Sequence, residues 1–248
     1  MSDPQAVPPS KAPFPTTRWS RVLAAGDPAV PESRAALAEL CAAYWYPIYA
    51  LIRRRGHPAE EARDLAQDFF ARLLEKGTLA AADRDRGRFR AFLKTDCGFF
   101  LADRRDREGA LKRGGGRATV SFDALDAEAR YRAEPADATT PERLFDRAWA
   151  LTLLEGVLDT LAAESAEAGR GAWFEQLRNV LTEGPGALPY AEIAAQLGTT
   201  EAAVQQAVRR LRRRYRDALR ARIAATLDPP DEAAIDGEVR DLFAALAG

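Results

Sequence analysis

The densest chemistry in the chain is a run of arginines. Between positions 209 and 222, Arg209, Arg210, Arg212, Arg213, Arg214, Arg216, Arg220 and Arg222 stand against a single acid, Asp217. Guanidinium groups at that density suit phosphate oxygens, and Gln205 and Gln206 just upstream bring amides able to read base edges. At helical spacing Ala202, Gln206, Arg209, Arg213, Arg216 and Arg220 share one face, while Val204, Val208, Leu211, Tyr215, Leu219 and Ile223 share the other. The first face suits nucleic acid and the second suits a core. An arginine-rich helix is by itself an ordinary solvated surface, so the segment before it matters. PYAEIAAQLGTT (189–200) predicts a short helix opened by Pro189, with Ile193, Ala194 and Leu197 inward and Gly198 giving a positive-φ turn. Thr199 or Thr200 then caps the arginine helix, with Glu201 at its positive dipole end. The two helices and their hinge predict a helix-turn-helix. Thr200, Gln205, Gln206, Arg209, Arg210, Arg213 and Arg216 are its candidate DNA contacts; the later arginines, Arg220 among them, suit phosphate.

A second basic cluster lies in the first half of the chain. Arg84, Arg86, Arg88 and Arg90 alternate through a polar loop that leads into an apolar-periodic segment, and Phe89, Phe92 and Phe99 follow. Arginines in a polar loop suit phosphate, whereas aromatic rings on a helix are most often core. Upstream, Asp64, Gln67 and Asp68 place two carboxylates one helical turn apart with an amide beside them, which taken alone reads as an ordinary solvated acidic face.

The elements that must position these residues read as helices throughout. Over 31–75 Leu37, Leu40, Cys41, Tyr44, Ile48, Leu51 and Ile52 recur at three- and four-residue steps, and Gly56 with Pro58 breaks the pattern. A second helix is expected over 58–76 on the stripe Ala62, Leu65, Phe69 and Leu73, and a third over 89–107 on Phe89, Leu93, Cys97, Phe100 and Leu101. No segment alternates as a strand. After Arg107 the run LKRGGGR (111–117) cannot hold a helix, and the acidic stretch with Asp123, Asp126, Glu128, Glu134 and Asp137 reads as irregular linker. Thr140 and Pro141 start a long helix, followed by helices over 171–181 and the helix-turn-helix, and Ile235, Val239, Leu242, Phe243 and Leu246 mark a last amphipathic segment. The expected organisation is an all-α chain. It has an arm with five prolines in its first 15 residues and a short helix (1–33), a helical domain (34–107), a flexible linker (108–140), a helix-turn-helix domain (141–226) and a C-terminal helix (227–248).

Composition narrows the function classes. With 36 Lys+Arg against 37 Asp+Glu, the net charge is near zero, so a nucleic-acid surface must come from local segregation of charge. Cys41 and Cys97 lie in apolar stripes with no CxxC pair and are expected to be buried reduced thiols. No run approaches the roughly 18 apolar residues of a membrane span, so the expected location is cytoplasmic. His57, Glu60 and Glu61 resemble a metal cluster only superficially: one histidine without an HExxH pattern builds no persuasive site, and HPAEE is better read as a helix start. With neither a phosphate loop nor a nucleophile elbow, no enzyme, cofactor or metal is expected.

HPAEEARDLAQDFFARLL (57–74) followed by GRFRAFL (87–93), with a distant helix-turn-helix, resembles region two and region four of the extracytoplasmic-function group of bacterial sigma factors. The likeness covers about 34–107 and 144–223. It implies a transcription-initiation factor that carries core RNA polymerase to promoter DNA. Asp64, Gln67 and Asp68 would then grip the clamp helices of the β′ subunit. Arg84, Arg86, Arg88, Arg90, Phe92 and Phe99 would hold the unpaired minus-ten strand, and the helix-turn-helix would read the minus-thirty-five element. The chain departs from the family where Phe92, Phe99 and Asp106 replace its usual Trp, Asn and Arg, and where Gln205 and Ala207 replace basic residues; Asp103, Val204 and Arg210 match. Promoter preference therefore does not carry over. The Trp19 arm, the long 164–189 lead and the C-terminal extension mark an atypical member, whose additions are expected to hold the domains together or bind a regulator such as an anti-sigma protein. The alternative is a helix-turn-helix regulator that acts without core polymerase.

Overall fold

The computed structural model describes residues 31–75, 89–110, 124–134, 140–182, 189–227 and 231–247. All elements among them are helices, so the chain is all-α as its periodicity predicts: α1 (Pro31–Arg54), α2 (Ala59–Glu75), α3 (Phe89–Ala110), α4 (Ala124–Ala133), α5 (Pro141–Glu167), α6 (Gly171–Thr182), α7 (Tyr190–Gln196), α8 (Glu201–Ala224) and α9 (Glu232–Ala247). None of the described helices is long and apolar enough to cross a membrane. The arm, the glycine-rich segment at 111–117 and the loop bearing Arg84, Arg86 and Arg88 lie outside the described residues.

Two compact units form, and their membership differs from the expected domains. One contains Gly156–Tyr215; the other takes the described residues of 31–155 together with those from Arg216 onward. The expected boundary at position 141 is displaced because the first half of α5 is apolar on a face that the α1–α3 core accepts. Leu144, Phe145 and Ala148 are fully buried, and Phe145 stacks 6.5 Å from Tyr44 of α1. Tyr44 in turn meets Phe89 of α3 edge-on at 5.4 Å, and Phe69 of α2 lies 5.7 Å from Phe100. Rings of this kind bury about 150 to 250 Å² each, a large contribution to such a core. The turn between α1 and α2 falls where the sequence places it, with Gly56 at φ 98°. Pro58 accepts the first helical bond of α2 from Ala62 at 2.8 Å, and Glu60 and Glu61 occupy the first turn.

The expected irregular linker needs correction, since α4 occupies part of it. Its anchor is polar rather than apolar. Glu128 accepts hydrogen bonds from Tyr49 Oη at 2.6 Å and from Arg53 Nε and Nη2 at 3.0 Å, and Glu134 accepts from Tyr46 Oη at 3.2 Å. Arg53 also lies 4.7 Å from the Tyr131 ring, and Arg130 lies 4.1 Å from that of Tyr46. A helix seated by ion pairs shows no hydrophobic period, which is why its residues read as loop.

In the other unit the end of α5, α6, α7 and the start of α8 enclose Val157, Leu161, Phe174, Leu177, Val180, Ile193, Val204, Val208 and Leu211, all buried.

Candidate nucleic-acid interface

The helix-turn-helix is built by local rules. Helix α7 starts after Pro189, whose φ of −54° and ψ of 139° set the entry without a side-chain cap. Ile193 and Ala194 are buried and Leu197 is half-buried. Gly198 takes φ 61°, and the following Thr199 N–H donates back to the Ala194 carbonyl at 2.9 Å, closing the helix. Of the two candidate caps, Thr200 does the work: its Oγ1 accepts from the Ala203 N–H at 3.2 Å.

Helix α8 then separates its faces as the spacing predicts. Val204, Val208, Leu211, Leu219 and Ile223 are buried, and Tyr215 is half-buried, its phenol pushed up to about 12 by burial. Gln206, Arg209, Arg213 and Arg216 are exposed on the opposite side. Three other candidates stand differently. Gln205 is half-buried and donates to Glu201 at 3.3 Å, so its amide is partly engaged within the helix. Arg210 is exposed at the edge of a cleft of about 370 Å³ lined by Trp173, Phe174, Leu177, Leu211 and Arg214. Arg220 is clasped by Glu232 and by Asp236, the latter at 2.5 Å, and these carboxylates raise its pKa above the ordinary arginine value.

In the other unit the candidate residues spread across distinct surroundings. Asp64 is exposed with Arg63 Nε 3.6 Å away, Gln67 is half-buried, and Asp68 pairs with Arg104 of α3. They share one side of α2 at helical spacing. Phe99 is 67% exposed on α3, an apolar ring open to solvent. Phe92 is half-buried and stacks on Phe89 at 6.0 Å, so it belongs partly to the core edge.

Arg90 is a correction. Expected at phosphate, its guanidinium is buried, 3.0 Å from Glu238 and 3.2 Å from Asp241 of α9, and 4.5 Å from the Trp149 ring. Partners 148 and 151 positions away leave no local signature. Nearby, Lys94 pairs with Asp146 at 2.7 Å. The sequence reading missed this basic-to-acidic seam; its signal was the amphipathic C-terminal segment, which carries Glu232, Asp236, Glu238 and Asp241 between its apolar positions.

No described group of His, Cys, Asp or Glu is arranged to hold a metal; His57 Nδ1, just before α2, lies 3.0 Å from Glu61 in that helix's first turn. The geometry offers an exposed amide-and-arginine face on α8, an acceptor set of Asp64, Gln67 and Asp68 on α2, and, separately, the open Phe99 ring on α3. Comparison with protein-family models, curated proteins and solved structures finds no match to the chain.

Proposed function

We propose that the chain is a transcription-initiation factor of the sigma type, which binds core RNA polymerase through the Asp64, Gln67 and Asp68 surface and promoter DNA through α8 and α3. The observation that carries the reading is the α8 face: Gln206, Arg209, Arg213 and Arg216 stand exposed on a helix held at its start by the Gly198 turn and the Thr200 cap. That is the build of a recognition helix, whose early residues meet bases and whose later ones meet phosphate. Support for the polymerase half comes from the acceptor set on α2 and from the family resemblance of 57–74 and 87–93. Run-off transcription with purified core polymerase and genomic fragments is the deciding test. Promoter-dependent transcripts are expected, and Asp64→Ala/Gln67→Ala/Asp68→Ala should lose core association while keeping its helical content. Duplex binding with no transcripts and no core association would make the chain a helix-turn-helix regulator instead.

The face of α8 should also divide by role. Gln206→Ala should cost about 1 to 3 kcal/mol on the preferred sequence and relax base preference there. Arg213→Ala should weaken matched and scrambled duplexes alike and lower the salt slope by about one unit. Salt titrations of both variants on the two duplexes check the division. If neither differs from wild type on either duplex, the arginine face is only a solvated surface.

A further inference from the structure

We propose that α9 acts as an intramolecular competitor for DNA, its Glu232 and Asp236 occupying Arg220 where a backbone phosphate would otherwise bind. The inference rests on reading α8 as the DNA-contacting helix. Arg220 lies one helical turn beyond Arg216 on the same face, so it continues the row of arginines suited to phosphate. Yet its guanidinium is clasped from two sides: Nη1 binds Asp236 and Nη2 binds Glu232. Two acidic acceptors on one guanidinium fork reproduce what phosphate oxygens present, charge included.

The position of the clasp makes exchange feasible. Glu232 and Asp236 are 84% and 53% exposed, so both carboxylates are open to solvent and to a competing polyanion. Exposed pairs of this kind are weak and salt-screened, which allows a polyanion to displace them. The rest of α9 is held firmly. Ile235 and Leu242 are buried, Glu238 and Asp241 engage buried Arg90, and Arg147 donates to the Leu246 carbonyl at 3.2 Å. An anchored helix with a releasable acidic edge is the build of a built-in competitor. The anchor fixes its effective concentration, and the edge sets how much DNA affinity is withheld.

The test uses the full chain and a short mixed-sequence duplex. Glu232→Gln/Asp236→Asn changes only exposed side chains and should leave thermal unfolding nearly unchanged. It should tighten duplex binding about three- to tenfold at moderate salt and steepen the salt slope by about one unit, the mark of one further phosphate contact. In an Arg220→Gln background the same pair of changes should have no effect. No gain in the first case, or an equal gain in the second, overturns the competitor while leaving the DNA reading in place, because wild-type binding is measured in the same titration. Absence of duplex binding by every variant at low salt overturns the DNA reading itself, and the competitor with it.

Discussion

Arg90→Ala should lower the unfolding free energy by about 3 to 5 kcal/mol, the range found when one partner of a buried ion pair is removed. The side chain is only 9% exposed, and its guanidinium serves two carboxylates of α9 and the face of Trp149 together. Taking it away strands the buried Glu238 carboxylate without its 3.0 Å counter-charge. Most of the cost is that carboxylate's lost compensation rather than lost packing, so Glu238→Gln in the Arg90→Ala background should return part of it. Urea unfolding of the three proteins measures both effects. A midpoint within error of wild type for Arg90→Ala would show that α9 is not seated by this pair. Arg216→Ala, an exposed position on α8, should by contrast leave stability within about 0.5 kcal/mol of wild type.

Acid should detach α4. Hydrogen bonds from Arg53 first, and then from Tyr49 and Arg132, hold the Glu128 carboxyl down to about 2 against the opposing effect of burial. A carboxyl whose folded pKa lies below its unfolded value of 4.5 contributes stability that is fully present above that value. The contribution is lost as pH falls from about 4.5 toward 2. Glu128→Gln should remove this pH dependence and destabilise the protein at pH 7, while the two proteins converge near pH 2. Stability curves for both across that range check it, and parallel curves would place the acid-sensitive group elsewhere.

The contrast between these two networks and the helix-turn-helix shows what a sequence displays. Pro189, Gly198 and Thr200 each do a local job with a local residue type, so the hinge could be read from twelve consecutive residues. The stripes on α2, α3 and α8 were legible for a similar reason: burial repeats at the helical period, and Leu65, Phe69 and Leu73 or Val204, Val208 and Leu211 are buried as their spacing implies. Helix α4 was not legible, because Glu128 and Glu134 are anchored by Tyr49, Arg53 and Tyr46 from a distant helix, and an acid in a polar stretch looks the same whether solvated or paired. Arg90 misled for the same reason. Sitting in an arginine-rich segment beside Phe89, it had the neighbours of a phosphate contact, while the carboxylates that claim it lie on the last helix. Of the candidate site, residue types and helix faces were open to sequence reasoning; which arginines the fold spends on its own acids was not.

The two cysteines carry a consequence of their burial. Cys41 and Cys97 are 8% and 0% exposed in α1 and α3, and burial raises both thiols to about 12. Thiolate is the species that alkylating reagents consume, so in the folded chain these sulfurs are silent at neutral pH. They become reactive only when their helices open. Labelling by iodoacetamide therefore counts excursions of the core, with Cys97 timing separation of α3 from the bundle and Cys41 timing fraying along α1. Equal labelling rates would mean that the two helices leave together as one cooperative block, and a faster Cys41 would resolve a partial opening that precedes it.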